Sequence, residues 1–161
     1  MSTVKIKEIH FINHDVLHIE TEKPENFSFE PGQATEVAIN KPDWKDEKRP
    51  FTFTNLPEED VLQFTIKTYP DHDGVTEQLG KLTAGDELIL GDAWGAIKYQ
   101  GPGVFIAGGA GITPFLAIFK NLNKEQSLSG NKLIFGNKKK EDIIYAAELE
   151  KMLGDDFINI L

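Results

Sequence analysis

The sequence predicts an antiparallel β-barrel or sandwich followed by the beginning of a parallel, doubly wound α/β sheet. Three observations carry this. Up to about residue 100, apolar residues alternate with polar ones in short runs separated by turn residues. After Gly101-Pro102-Gly103 the pattern changes to continuous apolar strands alternating with helical segments. A glycine-rich turn, Gly108-Gly109-Ala110-Gly111, joins the first of those strands to a helix.

Each element has its own signal. Val4/Ile6 and Ile9/Phe11 alternate but slip phase between them, the mark of a β-bulge. Leu17/Ile19, Val37/Ile39, Phe51/Phe53, Leu62/Phe64/Ile66, Leu88/Leu90 and Ile97/Tyr99 supply the remaining strands, six or seven in all. Turn chemistry separates them at Asn13-His14-Asp15, Pro31-Gly32, Lys41-Pro42-Asp43, Asn55-Leu56-Pro57 and Ala84-Gly85-Asp86. One helix is expected in this half, over 75–82, opened by Asp71-His72-Asp73-Gly74. Beyond Gly103 the expected order is a strand at 104–107, a helix over 113–123, a strand at 132–135, a helix over 143–153 and a strand at 157–161. A parallel sheet of this β-α-β-α-β type is expected to have both faces and both edges covered, so the unit reads as incomplete after its third strand.

Composition narrows the function. The 161 residues are 40% hydrophobic and 27% charged, enough apolar material for a packed core. Twenty-six acidic against 17 basic side chains give a net charge of −9, which excludes nucleic acid as a partner. Cysteine is absent, which excludes disulfides, zinc–thiolate sites, iron–sulfur ligation and thiol catalysis. No apolar run approaches the roughly 20 residues of a membrane span. The N-terminus lacks the apolar core of a signal peptide, so a cytoplasmic protein with no membrane partner is expected.

The glycine-rich turn is the sharpest local motif. Gly109 and Gly111 have the G-x-G spacing, and Pro114 stands where a dinucleotide fingerprint has its third glycine. Glycines let the backbone approach a pyrophosphate, and a helix N-terminus offers free N–H groups. Thr113 is expected as the helix N-cap, with Pro114 at the first helical position. A ligand-free strand-to-helix turn would use the same glycines, so the turn alone leaves both readings open. The next strand ends at Gly136-Asn137-Lys138-Lys139-Lys140, where cations would receive a 2′-phosphate. That favours NADPH and leaves NADH open; a solvated basic loop has the same composition.

Taken alone, Arg49-Pro50-Phe51-Thr52 reads as an ordinary half-buried strand. Yet it resembles the R-x-Y-[ST] flavin motif of the ferredoxin–NADP reductase superfamily, which includes flavodoxin reductases and cytochrome reductases. Pro31-Gly32-Gln33 resembles that family's preceding P-G-Q. Lys67-Thr68-Tyr69 and Gly74-Val75-Thr76-Glu77-Gln78-Leu79 are similar to its next flavin-contacting strand and pyrophosphate segment. Phe105 to Pro114 resembles its nicotinamide-nucleotide loop. The five motifs stand in family order across nearly the whole chain.

The resemblance implies a six-stranded antiparallel FAD-binding barrel over 1–101 and an NAD(P)-binding α/β domain over 102–161, truncated after its third strand. It implies that Arg49 pairs with the flavin pyrophosphate, that Phe51 packs on the flavin where the family often has Tyr, and that Pro50 between them is also cofactor-binding. Thr52 is the candidate catalytic residue, its hydroxyl or N–H directed at flavin N5. Gly74, Val75 and Thr76 would hold the pyrophosphate, Lys67 and Tyr69 would line the flavin, and Gly109, Gly111, Thr113 and Pro114 would hold NADPH or NADH. The implied activity is hydride transfer from NAD(P)H to FAD and electron transfer onward to ferredoxin, flavodoxin, a haem protein or a small acceptor. A flavin-binding electron-transfer module without its own NAD(P)H activity is the alternative, and as a fragment the chain would be weak or inactive as a reductase.

Other constellations carry less. His10, His14 and His18 are spaced by four, but on a hairpin they place His14 at the tip and His10 opposite His18, so no metal site is expected. Asp71-His72-Asp73 and Glu58-Glu59-Asp60 read as solvated turns, and the loop around Trp44 as polar. A surface of −9 would repel acidic acceptors unless Lys120, Lys124 and Lys138 to Lys140 gather into a patch.

Overall fold

In the computed structural model, which describes all 161 residues, the alternating runs form six antiparallel strands. These are β1 (Ser2–Phe11), β2 (Val16–Glu22), β3 (Ala34–Ile39), β4 (Arg49–Thr52), β5 (Val61–Lys67) and β6 (Glu87–Leu90). Their order is β4-β3-β6-β1-β2-β5. The two ends of that order meet: Phe53 bridges Phe64, and the Thr54 N–H donates to the Gln63 carbonyl at 2.9 Å. The sheet therefore curls into a nearly closed barrel rather than a sandwich.

Alternation fills the interior. Val4, Ile6, Leu17, Ile19, Val37, Ile39, Leu88 and Leu90 all point inward and are buried. Phe53 is the hub, with no exposed surface, its ring 4.3 Å from Phe29 and 5.4 Å from Phe64. The phase slip in β1 is a real bulge: Ile6 faces Thr21, but Glu8 faces Glu20. It turns Glu8 and His10 outward while Ile9 packs on the core.

The helix α1 (Val75–Leu79) is shorter than the expected 75–82, because the chain leaves the helix at Gly80; Leu82 still reaches the barrel core. The expected strand at Ile97/Tyr99 does not form. Its side chains are pinned singly instead: the Tyr99 hydroxyl accepts from Asn131 Nδ2 at 3.0 Å and its ring stacks on Phe105, while Ile97 is exposed.

Beyond residue 103, strands β7 (Val104–Gly108), β8 (Lys132–Gly136) and β9 (Phe157–Ile160) pair in parallel in that order. The helices are α2 (Thr113–Lys124) and α3 (Ala146–Leu153). α2 begins out of a 3-10 turn at Gly109–Ile112, so Thr113 lies inside the helix and is not its N-cap; its hydroxyl donates back to the Ala110 carbonyl at 3.1 Å. α3 starts later than expected, because Tyr145 adopts a left-handed backbone with φ of 53°. Leu116, Phe119, Leu133, Phe135, Leu149 and Leu153 form a second core on one face of this sheet. The opposite face of the sheet is bare: Ile106 is 72% exposed and Ile160 54%. No helix is long and apolar enough to cross a membrane.

Glycine is obligatory at one turn. Gly32 has φ of +102°, and a Cβ there would lie 2.4 Å from the Ile97 carbonyl oxygen. Gly85, with φ of +97°, has nothing within 4 Å of its Cβ position. Gly85→Ala is expected to lower the unfolding free energy by about 1–2 kcal/mol, the left-handed strain alone. Gly32→Ala adds a backbone clash and is expected to lose about 3 kcal/mol or more. Urea titrations of the two variants test this; equal losses would refute the close approach.

Candidate functional site

A trench runs along the junction of the barrel and the parallel sheet, in three connected chambers. The first, about 410 Å³, lies between the start of β4 and α1 and is lined by Arg49, Pro50, Phe51, Tyr69, His72 and Gly74 to Thr76. β4 is an edge strand, where Pro50 is tolerated. The second chamber, about 250 Å³, shares Pro50, Phe51, Tyr69 and Thr76 with the first and adds Thr52, Lys67, Ala110 and Thr113. The third, about 350 Å³, shares Lys67 and Ala110 with the second and extends along Gly108, Gly109, Gly136, Asn137 and Lys138. Of the residues the sequence singles out, Arg49, Pro50, Phe51, Thr52, Lys67, Tyr69, Gly74, Val75, Thr76, Gly109 and Thr113 line this trench. Gly111 and Pro114 line none of its chambers.

The cations in the trench are loosely held. The Arg49 guanidinium donates to the Lys48 carbonyl at 2.7 Å and lies 3.6 Å from a Glu47 carboxylate oxygen, about half exposed. Lys67 Nζ lies 3.7 Å from Asp15 and 5.8 Å from the Tyr69 ring centroid. Such partners are weak, and an incoming anion can displace them. Tyr69 is 45% exposed and stacks on His72, rings 5.2 Å apart and 13° from parallel, forming an aromatic platform. The Tyr69 N–H donates to the Thr76 hydroxyl at 3.1 Å, tying that platform to α1.

The glycines at and beside the trench are not required by packing. A Cβ at Gly109 or Gly111 would meet nothing within 4 Å, and one at Gly74 only the His72 carbonyl at 3.8 Å. Gly109 needs its left-handed φ of +52°; Gly74 and Gly111 have no such need. Ile112, fully buried, anchors the turn. Open space over bare backbone is what a closely approaching ligand uses.

Two site residues were not legible as such. His72 belongs to a triplet that reads as a solvated turn, yet it supports Tyr69. Asn137 has both side-chain polar atoms buried without a hydrogen-bond partner, while its backbone N–H donates to the Ile160 carbonyl at 2.9 Å. An unmet buried amide costs about 1–3 kcal/mol, so it points to a polar ligand in the third chamber. Its only sequence signal is its place at the end of the strand before the lysines.

The barrel and the parallel sheet are held together behind the trench. Val16 of β2 belongs to the second core, and Lys120 Nζ of α2 donates to the Thr54 carbonyl at 2.6 Å. Lys124 pairs with Glu58, which holds that carboxyl below its usual range. Lys120 and Lys124 are thus engaged at the seam and do not join Lys138 to Lys140 in a cationic patch. Burial pushes the Lys120 ammonium below the ordinary lysine range, with Glu59 and Glu148 partly opposing.

A family model described as a FAD-binding domain matches residues 1–126, and one described as an oxidoreductase NAD-binding domain matches residues 105–156. The chain is 28% identical over 138 residues to the reductase component of propane 2-monooxygenase from Mycolicibacterium smegmatis, covering 83% of this chain and 39% of that protein. It is 26% identical over 147 residues to the ferredoxin–NAD(P)+ reductase component of the naphthalene 1,2-dioxygenase system of Pseudomonas putida, covering 88% and 43%. It is 29% identical over 162 residues to NADH-cytochrome b5 reductase 2 of Aspergillus niger, covering 92% and 49%. The chain thus spans less than half the length of these curated relatives. A ferredoxin NADP+ reductase from Neisseria gonorrhoeae, solved with bound FAD and NADP, superposes with a TM-score of 0.83 at 20% identity, over 99% of this chain and 66% of that one. At that identity the likeness shows the fold.

Lys120 yields a signed prediction. Its folded pKa is lowered, so between that value and the ordinary lysine pKa the unfolded chain binds more protons, and stability rises with pH. Lys120→Met removes that rise. Unfolding free energies measured across the alkaline range are expected to move in favour of the unmodified chain as pH increases; parallel profiles would refute the burial.

Proposed function

The chain belongs to the family of FAD-binding domains within the ferredoxin–NADP reductase-like superfamily, and on that premise we propose that its trench holds FAD and a nicotinamide dinucleotide end to end. The observation that supports this is continuity: segments near residues 49, 67, 74, 109 and 137 line one groove, in which each chamber shares residues with the next. We propose that the flavin half is residues 1–101 and the nucleotide half 102–161.

When bound, the flavin accepts a hydride at N5 from the nicotinamide and passes electrons on. The chain's own residues position and screen. Arg49 offers a planar fork to pyrophosphate oxygens, leaving its weak contact with Glu47. Gly74 to Thr76 keep that end open to phosphate. Phe51 and Tyr69 supply ring faces, and Phe51 gives up only the hydroxyl a Tyr would bring. Thr52, in the central chamber with Ala110 and Thr113, is the hydrogen-bonding group at the meeting point of the two ligands. Gly109 and Gly111 leave backbone bare for the second pyrophosphate, and the Asn137 amide gains partners there.

Lys138 and Lys139 border a polar hollow at the far end, and we assign them to the 2′-phosphate of NADPH. Glu141 and Asp142 border the same hollow and favour a second reading, in which carboxylates hold the ribose hydroxyls of NADH. The acceptor we propose is a redox protein, in line with relatives named as reductase components and cytochrome b5 reductases.

Arg49→Ala is expected to weaken FAD binding by about 1.5–3 kcal/mol, roughly ten- to a hundredfold in Kd, read by flavin fluorescence quenching. Stoichiometric FAD retained by that variant would remove the assignment. Anaerobic titration of the flavin-loaded chain distinguishes a reductase, whose flavin bleaches with NADPH or NADH, from a passive electron-transfer module, whose flavin does not. Lys138→Glu with Lys139→Glu is expected to reverse a preference for NADPH over NADH; an unchanged preference would favour the carboxylate reading.

A further inference from the structure

The β1–β2 hairpin carries a mirrored pair of triplets on its outer face, away from the trench. Glu8-Ile9-His10 runs along β1 and His18-Ile19-Glu20 along β2. The register sets Glu8 opposite Glu20 and His10 opposite His18. Ile19 is fully buried and Ile9 packs on the barrel core, so the four polar side chains between and beside them share the outer face. One ligand-capable atom from each of Glu8, His18 and Glu20 lies within 4.8 Å of the other two. His10 flanks them, its Nδ1 3.3 Å from Glu8 and its ring 5.0 Å from that of His18. We propose that this quartet binds a divalent transition-metal ion of the zinc class, with Glu8, His18 and Glu20 as ligands and His10 as the fourth.

Three features support the site beyond proximity. Two carboxylates directly opposite each other across an antiparallel pair repel, and a divalent cation between them converts that repulsion into attraction. Two imidazoles select zinc and its neighbours over calcium or magnesium, which take oxygen ligands. The ligands also have outer supports of the kind metal sites use. The Tyr145 hydroxyl lies 3.3 Å from His18 Nδ1 and 3.4 Å from the Thr65 hydroxyl, leaving Nε2 for the ion. Gln63 Nε2 donates to Glu20 Oε2 at 2.9 Å, leaving the other carboxylate oxygen free.

A tetrahedral zinc site needs ligand atoms about 3.3 Å apart, so the group must contract on binding. Glu8 and His10 are exposed and free to rotate inward, while His18 and Glu20 are the half-buried, supported pair. Tyr145 stands at the start of α3, so the bound ion would tie the barrel hairpin to the parallel-sheet half through a single hydroxyl.

The test is calorimetric titration of the full chain with zinc chloride near neutral pH, with and without added FAD. One equivalent is expected to bind in both cases, with a rise in thermal unfolding temperature. Glu8→Gln and His10→Asn, both at exposed positions that should fold normally, are each expected to weaken binding at least about tenfold. Tyr145→Phe, which removes only the outer hydroxyl, is expected to weaken it by about tenfold. His14→Asn, which disrupts the separate group of His14 with Asp15 and Asp142, should leave binding unchanged. No uptake by the unmodified chain would overturn the proposal. So would uptake indifferent to Glu8→Gln and His10→Asn, or uptake abolished by His14→Asn.

Discussion

Two of the trench's three chambers have walls from both halves of the molecule, so they depend on the seam that fixes those halves against each other. At the centre of that seam is the Lys120 ammonium, half-buried and donating to the Thr54 carbonyl. Thr54 follows β4 by two residues, and Lys120 lies two turns along the helix that begins at Thr113. This hydrogen bond links the segment just after the Arg49–Thr52 strand to the helix that follows the glycine-rich turn. The bond is charge-assisted and shielded from water, which strengthens it, while desolvation of the ammonium opposes it. Val16, a barrel residue buried in the second core, and Tyr145, bonded to both His18 and Thr65, hold the same junction from the other side.

That arrangement separates glycines the fold needs from glycines it does not. Gly32 is fixed by the Ile97 carbonyl pressed against it and by its positive φ. Gly74 and Gly111 answer to neither demand. Side chains at those two positions would fit the chain as it stands, and Gly74 lines the first chamber. The Asn137 amide is likewise unpartnered by anything within the chain.

Most of the fold was legible because it rests on alternation and turn chemistry, which are local. The bulge between Ile6 and Glu8 could be read from a phase slip alone, and the glycine-rich turn from its strand before and helix after. The failures are where side chains are pinned by distant partners. Ile97 and Tyr99 alternate like a strand, yet no ladder claims them; Asn131 and Phe105 do. The start of α2 at Thr113 is legible, but its cap and the start of α3 are not, because a 3-10 turn and a left-handed Tyr145 have weak local signals. The run Val104 to Ala107 reads the same whether one face of its sheet is covered or two, and the structure leaves Ile106 on the bare face. The barrel side of the site was legible only through the resemblance. Arg49 to Thr52 has nothing in its composition to distinguish it from any edge strand.

Net charge proves a poor guide to this site. A chain at −9 would be expected to repel phosphates, yet the trench places Arg49, Lys67 and Lys138 at its three chambers. Arg49 has Glu47 and Lys67 has Asp15 near enough to keep it in place but too far for strong hydrogen bonds, at 3.6 and 3.7 Å. Such partners neutralise the cations at long range and yield to a phosphate at short range, since exposed pairs contribute little to stability. An acidic surface and a groove lined by three cations are therefore compatible. What the surface charge does govern is the approach of other charged macromolecules, and there the seam matters again. Lys120 is bonded within the seam and the exposed Lys124 is paired with Glu58, so neither adds unpaired positive charge to the surface of this acidic chain.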